Sequence, residues 1–337
     1  MWDIGEAAGR PDWRVLDTRL SCNLYAVVGT VEGPHAVGGR GVLAADRGEG
    51  WEVVFDDGPA TRQNQIRSVD VTDDGKRLWL VGSGGSIGCY DVAERRRYDY
   101  GYPEQLTSTW EGIAVSGPRG AEKALAANGS GEVLPFAVED ADPDWGYLDP
   151  VGDANAGIDA FGSTPEGVGF VVDTTGSAYK TTPAEGWTDI GVLDTQASFT
   201  EVAAGPDEQV YVAADDGRLY RYGDTYHSWT PIEVGDGVAV RTVDVYRGGN
   251  GRRQMAVLSE EGRLYERVAS ERWERRPVPT NDRLYDLSLG DPDLVVGRSG
   301  TVIERPRAST PAANGVGAET ERATAYESPE IDRVDTE

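Results

Sequence analysis

The sequence predicts an all-β fold, a seven-bladed β-propeller of four-stranded antiparallel blades whose last blade is closed by an N-terminal strand. Three observations predict it. A unit of two apolar strands, a Gly-containing turn, a third strand and an aromatic-led fourth returns about every 40 to 45 residues. Seven glycines, Gly41, Gly85, Gly131, Gly176, Gly217, Gly262 and Gly300, hold the same place in that unit. The last unit lacks its fourth strand, while DWRVLD around Trp13 has the shape of the outer strands WEVVF and WERRPV.

The elements follow in order. Inner strands read NLYAVVG, IRSVDVT, EGIAVSG, GIDAFGS, FTEVAAG, VRTVDVY and RLYDLSL. Second and third strands flank the turn glycine, as in RLWLVGSGGSIGCYD from Arg77 and VYVAADDGRLYRYG from Val210. Glycine there takes the positive φ that a tight hairpin needs. Outer strands open at Trp51, Tyr98, Trp145, Trp187, Trp229 and Trp273. Trp13 to Asp17 supply the missing outer strand of blade 7, which leaves the ring with short, protected edges. A sandwich or β-helix also has short strands, but neither explains why one glycine and one aromatic recur in each unit. Six or eight blades are the alternative counts. Residues 1–11 are read as an N-terminal arm and 12–307 as the propeller. Residues 308–337 are read as an acidic tail, too poor in apolar residues to order alone, with Tyr326 and Ile331 as its candidate anchors.

The turns GRGVLAADRGEGWEVVF and TGSAYKTTPAEGWTDIG resemble the degenerate Asp-box turns of sialidase-like and photosystem II assembly factor-like propellers, in which a small or acidic turn precedes a Trp. Asp91 and Asp224 are eroded counterparts, and the other blades lack most of the box. The resemblance implies a place in that broad propeller class across residues 12–307, and carries over no substrate.

Lys and Arg total 32 against 58 Asp and Glu, a formal charge of -26, and only Lys76, Lys123 and Lys180 are lysines. Such single-sign charge opposes contact with a nucleic-acid backbone. The composition resembles that of proteins from halophilic archaea and their viruses, where concentrated salt screens self-repulsion. MWDIGEAAGRPDWR has no apolar core of a signal peptide, and no stretch is long enough to insert in a membrane. A cytoplasmic location is expected, with a virion or other particle as the alternative. Cys22 and Cys89 fall in different units and read as buried thiols.

Propeller geometry puts the hairpins and the connections from each outer strand to the next inner strand on one face. That face gathers Arg19, Asn23, Arg62, Asn64, Tyr102, Trp110, Asn155, Phe199, Asn281 and Arg283, the expected interaction residues. Asn23, Asn64, Asn155 and Asn281 each precede an inner strand, where an amide bonds local backbone or, alternatively, faces a ligand. The connections DDGPATRQNQ and YGYPEQLTSTW carry Arg62, Tyr100, Tyr102 and Trp110, residue types that anchor protein partners. Asp140, Asp142, Asp144 and Asp149 in EDADPDWGYLDP match no complete calcium loop, so no metal is expected. His35 and His227 are the only histidines and cannot form a histidine metal triad. GSGG at Gly82–Gly85 lacks the context of a phosphate loop. No catalytic residue and no cofactor are assigned. The function expected is a non-enzymatic protein-interaction or assembly scaffold adapted to high salt, with a protein partner. The alternative is a carbohydrate-binding or glycoside-cleaving propeller with its site at the central mouth, using Arg19, Arg62, Arg241 and Arg283.

Overall fold

Each repeat folds into one antiparallel sheet, and seven sheets stand around a common axis in a computed structural model that describes residues 12–153, 155–161, 168–182, 186–191, 195–205, 209–247, 253–270 and 272–306. The inner strands of blades 1 to 7 are Leu24–Thr30, Ile66–Val71, Trp110–Ser116, Asn155–Phe161, Phe199–Ala204, Val240–Arg247 and Leu284–Ser288. The second strands lie between neighbouring blades and are covered on both sides. Arg77–Gly82, Val210–Ala214 and Asp293–Gly297 are therefore buried along their whole length, and read as continuous runs where a half-buried strand would alternate. Arg77 belongs in that run because Glu122 of blade 3 takes its guanidinium at 2.9 Å and Asp91 lies 3.7 Å away.

The cores are interfaces between blades. Between blades 2 and 3, the Trp79 ring stacks on Tyr100 at 5.5 Å and meets Phe136 at 5.0 Å, while Phe136 meets Trp145 at 4.7 Å. Burying side chains of this size contributes about 1.5–3 kcal/mol each. The outer aromatics thus point inward, although Trp145 ends its strand, Asp142–Trp145, where the sequence placed it at the start. The rest of the EDADPDWGYLDP insertion adds a fifth short strand, Asp149–Pro150, to blade 3, pairing with Glu132 and Val133.

Closure follows the expected scheme. Arg14–Val15 pairs with Val302–Arg305 in the register Arg14↔Glu304 and Val15↔Ile303, as the outer strand of blade 7. Two residues are a short strand, so the seam is held by what flanks them. Trp13 is buried with the Arg305 guanidinium 4.6 Å over its ring, and the Thr18 hydroxyl donates to the Gly300 carbonyl at 2.7 Å. The arm 1–11, the tail 308–337 and the turn GGNG lie outside the described residues. No helix among the described residues is long and apolar enough to cross a membrane.

A feature absent from the sequence reading repeats in all seven blades. Each inner strand has a register shift after its first residue, between Leu24/Ala26, Ile66/Ser68, Trp110/Gly112, Asn155/Gly157, Phe199/Glu201, Val240/Thr242 and Leu284/Asp286. An extra residue in one strand re-aims the side chains around it. Here it turns Leu24, Ile66, Trp110, Phe199, Val240 and Leu284 into the core and carries Tyr25, Arg67, Glu111 and Tyr285 to the wall of the central channel.

Candidate functional site

The hairpins between second and third strands are of two kinds. In blades 7, 1 and 2 the sequences GRSG, GGRG and GSGG begin at a glycine in extended backbone, Gly297, Gly38 and Gly82. A Cβ at any of the three would meet the carbonyl of Arg283, Asn23 or Gln65, next to the inner strand. The following N–H groups donate to those same carbonyls, Arg298 to Arg283 at 2.8 Å, Gly39 to Asn23 at 2.9 Å and Ser83 to Gln65 at 2.9 Å. Two left-handed residues complete each turn: Ser299 and Gly300, Arg40 and Gly41, Gly84 and Gly85. In blades 3, 4 and 6 a side chain organises the turn instead. Asn128 Oδ1 accepts from Ser130 and Glu132, Asp173 Oδ1 from Thr175 and Ser177, and Ser259 Oγ from Arg263. There, as in blade 5, only the closing glycine is left-handed.

The connections that cross blades 7, 1 and 2 share this unusual backbone. Eleven non-glycine residues among those described have positive φ, and eight lie on these hairpins or connections: Arg19, Arg40, Ala60, Gln63, Tyr102, Glu104, Gln105 and Ser299. Each costs of the order of 1–2 kcal/mol in a left-handed conformation. Tyr102 is held by its N–H, which donates to the Gly85 carbonyl at 3.2 Å, and the Arg62 guanidinium lies 4.3 Å over its ring. Backbone strain of this kind concentrates at functional sites.

Charge separates the same two sectors. On blades 5 and 6, Arg218 pairs with Glu233 at 2.7 Å and Asp216 at 3.4 Å, Arg263 with Asp236 and Glu261, and Arg241 with Glu260. Arg283 of blade 7 also reaches Glu260, at 3.3 Å. Arg19, Arg40, Arg62 and Arg298 are exposed and form no ion pair among the described residues.

At the mouth, the residues displaced by the bulges meet one another. Tyr25 and Tyr285 pack with ring centroids 5.4 Å apart, flanked by Arg241 and Arg283 at 5.8 and 5.7 Å from the Tyr285 ring. Arg67 bonds Glu111 at 2.9 Å across blades 2 and 3. Below them runs a channel of about 580 Å³ whose wall carries Asp70, Asp159, Glu201, Asp244 and Asp286. Four of these clip one blade to the next: Asp70 accepts the N–H of Val115 at 2.6 Å, Asp159 that of Ala204 at 2.6 Å, Asp244 that of Leu289 at 2.6 Å and Asp286 that of Val27 at 2.9 Å. Enclosure by seven strands withholds most of the water a carboxylate needs, even though each keeps an edge on the channel. Burial pushes Asp70 and Asp286 up to about 7 and Asp244 up to about 6, and Asp244 adds repulsion at Asp286. Glu201 rises for the same reason, with Asp286 and Asp159 adding their charge.

The expected interaction residues divide accordingly. Arg19, Arg62, Asn281 and Arg283 are exposed on the hairpin face and Tyr102 is half-buried there. Asn23 and Asn64 brace hairpins: Asn23 Oδ1 accepts from Ser299 at 3.1 Å, and Asn64 Nδ2 donates to Ser86 at 3.0 Å. Asn155 opens its inner strand opposite Asp173. Trp110 and Phe199 are fully buried and offer no surface to a partner, because the bulge turns the first residue of the inner strand into the core. The residues missed at the mouth, Tyr25, Arg67, Glu111 and Tyr285, follow those buried positions by one. Their signal was available as a polar or aromatic residue after the first apolar residue of each inner strand.

Other chemistry finds little purchase. Arg241 and Arg283 converge on Glu260, whereas Arg62 stacks on Tyr102 and Arg19 stands on the connection into blade 1, so the four do not gather around one point. His35 is buried beside Tyr90, and burial lowers it to about 4. His227 lies in a turn on the opposite face with Nδ1 3.1 Å from the Tyr222 hydroxyl. No group of three or more His, Cys, Asp or Glu among the described residues is arranged to hold a metal ion. A groove of about 1370 Å³ runs between blades 4 and 5 past Ile190, Tyr220 and Trp229, whose indole N–H donates to the Ile190 carbonyl at 2.5 Å. Of the two turns resembling Asp-boxes, the first is capped by Asp46, whose Oδ1 accepts from Gly48 at 2.8 Å and Gly50 at 3.1 Å. The second passes through residues 183–185, outside those described.

No protein-family model matches the chain, and no curated protein matches it in sequence. Solved propellers do match in shape. YCF48 bound to D1 peptide superposes with a TM-score of 0.69 at 14% identity, covering 88% of this chain and 97% of that one. A catalytically inactive histidine-to-alanine variant of virginiamycin B lyase from Staphylococcus aureus with quinupristin gives 0.69 at 10% identity, over 88% and 99%. The WD40 repeats of RRP9 give 0.68 at 15% identity, over 90% and 100%. At such identities the likeness shows the fold alone, and with the seven sheets and their closure it establishes this chain as a seven-bladed β-propeller.

Proposed function

We propose that the protein is a non-enzymatic interaction or assembly scaffold that docks a partner protein on its hairpin face. The observation that carries this reading is the Arg62–Tyr102 pair, a cation over an aromatic ring on connections fixed in costly left-handed backbone. Arg and Tyr combine contact area with directional donors, and a pre-ordered loop loses little freedom on binding. The same reading fits YCF48, whose structure holds a peptide. The lyase likeness supplies the enzymatic alternative, but that enzyme loses activity with one histidine, and neither His35 nor His227 faces this channel. We place the protein in a salt-rich cytoplasm or a particle assembled there, on the strength of its charge of -26.

The test is recovery from the native organism at high salt, comparing wild type with Arg62→Ala/Tyr102→Ala. A stoichiometric partner retained by the first and lost by the second supports the scaffold. A monomer with no partner, turning over glycans in a way that depends on the central mouth, would transfer the function to the carbohydrate alternative.

A further inference from the structure

We infer that the arginines over blades 7, 1 and 2 form one continuous docking surface for an acidic, extended segment of the partner, an inference that rests on the hairpin face being the docking face. Arg218, Arg241 and Arg263 of blades 5 and 6 each take a carboxylate partner. Arg19, Arg40, Arg62 and Arg298 stand without a carboxylate partner among the described residues, on the same face. Arg95, Arg96, Arg221 and Arg275 form no ion pair among the described residues either, so what singles out the arginines of blades 7, 1 and 2 is their shared face and their strained backbone. Two of them are held at a backbone cost. Arg19 has φ 55° and Arg40 φ 63°, and Gly84 takes Arg40's place in the blade 2 hairpin at φ 64°. A glycine would satisfy those positions more cheaply, so the side chain is what the position keeps.

Backbone contacts join these residues into a line. The Arg298 N–H donates to the Arg283 carbonyl at 2.8 Å, the Ser299 N–H to Asn23 Oδ1 at 3.1 Å, and the Gly39 N–H to the Asn23 carbonyl at 2.9 Å. Gly41 then abuts Gly58, where a Cβ would lie 2.5 Å from the Gly58 nitrogen, and Arg62 and Tyr102 follow. A guanidinium presents a planar fork of donors that matches a carboxylate at two points. Unpaired guanidinium groups spaced along three blades therefore fit carboxylates spaced along one extended strand of polypeptide. Asp17, Asp56 and Glu104 are exposed on the same connections, so the segment alternates, with uncharged side chains opposite those three. The same three carboxylates repel a polyphosphate, whose charges come without gaps.

Fluorescence anisotropy with a labelled peptide of five Glu-Ser repeats tests this in the full chain. The proteins are wild type, Arg19→Ala/Arg40→Ala/Arg62→Ala and, as a control on the opposite face, Arg95→Ala/Arg96→Ala. Wild type is expected to bind the peptide, more weakly as salt rises, with the triple variant at least tenfold weaker and the control within twofold. Equal loss in the two variants would mean unspecific charge, and tighter binding of a single-stranded DNA of the same charge would mean a phosphate site. Either result overturns the inference. The same variants in the native recovery separate the two claims. Loss of the native partner from the triple variant without peptide binding by wild type leaves the scaffold standing and removes the acidic segment; an unchanged partner removes the docking face as well.

Discussion

The two halves of the hairpin face solve one problem by different chemistry. In blades 3, 4 and 6 a turn is fixed by the side chain of Asn128, Asp173 or Ser259, and only the closing glycine leaves ordinary backbone space. In blades 7, 1 and 2 no side chain of the hairpin itself, among the described residues, accepts the turn's N–H groups; Asn23 and Asn64 brace two of these hairpins from the neighbouring connections. Extended glycines let the hairpin press against the inner strand, and two successive left-handed residues bring the chain back. Close approach to the next connection is shared more widely: Gly300 and Gly85 rest on the carbonyls of Leu20 and Leu106, Gly131 and Gly176 on those of Gly152 and Ala197, and Gly262 of blade 6 is the open case. Strained backbone, the closure seam and four exposed arginines with no ion pair among the described residues thus lie together in one sector.

The largest effect should come from breaking that sector at its seam. Trp13→Ala removes a buried indole from beside a two-residue strand and takes the ring from under Arg305. A loss of about 3–5 kcal/mol is expected from a cavity of that size. Trp273, which has the same place in blade 6, is only half-buried, and its removal should cost less. Chemical denaturation of both variants in the same buffer checks the order, and equal losses would mean the seam is no weaker than an interior blade.

A narrower test uses two glycines with the same backbone. Gly300 has φ 77° and Gly262 φ 75°. Alanine at Gly262 meets nothing nearer than Leu284 Cδ1 at 4.0 Å, so only the left-handed penalty of about 1–2 kcal/mol applies. Alanine at Gly300 meets the same penalty and also collides with the Leu20 carbonyl, so blade 7 must separate from the connection into blade 1. Its denaturation midpoint should fall by clearly more. Matching midpoints would show that the connection yields without cost and that the two hairpins are equally tolerant.

Much of this architecture is legible in the sequence because it rests on backbone. Gly41, Gly85, Gly131, Gly176, Gly217, Gly262 and Gly300 all have the positive φ their placement implied, from 71° to 89°. The seven blades and the N-terminal outer strand follow from the same repeat. The site was less legible, because a one-residue bulge decides which side chains face the mouth. Trp110 and Phe199 look like rim aromatics in a linear reading, yet the bulge folds them inward and presents Glu111 and Thr200 after them. The acid clips were hidden for another reason. Asp70, Asp159 and Asp244 sit at one position of their inner strands, but the composition supplies so many carboxylates that three more carry no signal until their N–H donors are seen.

Those clips give a pH test that compares junctions around the ring. Asp286, joining blades 7 and 1, is raised to about 7, and Asp244, joining 6 and 7, to about 6. A raised carboxyl means that the folded state holds the proton more tightly than the unfolded chain, so stability is lost as pH climbs through the folded value and recovered as it falls. Between pH 8 and 6.5 the protein should become more stable. Below that, buried neutral His35, lowered to about 4, works in the opposite direction. Asp286→Asn keeps an acceptor for Val27 without the charge, and should gain on the order of 1 kcal/mol at pH 8 with a flatter pH profile. Asp244→Asn should gain less. A profile from pH 8 to 6.5 that is flat in wild type would mean the channel carboxylates titrate as they do in water.

The smallest effect bears most directly on what the strained sector is for. At φ 63° Arg40 occupies backbone that glycine takes freely, and its side chain pairs with no carboxylate among the described residues. Arg40→Gly should therefore stabilise the fold by up to about 1 kcal/mol, while weakening the peptide of Glu-Ser repeats. The paired Arg218 is the contrast: its loss leaves Glu233 and Asp216 unpaired and relieves no strain, so Arg218→Gly should not raise stability. A gain in denaturation midpoint at Arg40 coupled to a loss of binding would mean that the backbone cost of this sector is retained for recognition. A loss of stability on Arg40→Gly would mean instead that the guanidinium holds the turn in place, and the strain would then belong to folding.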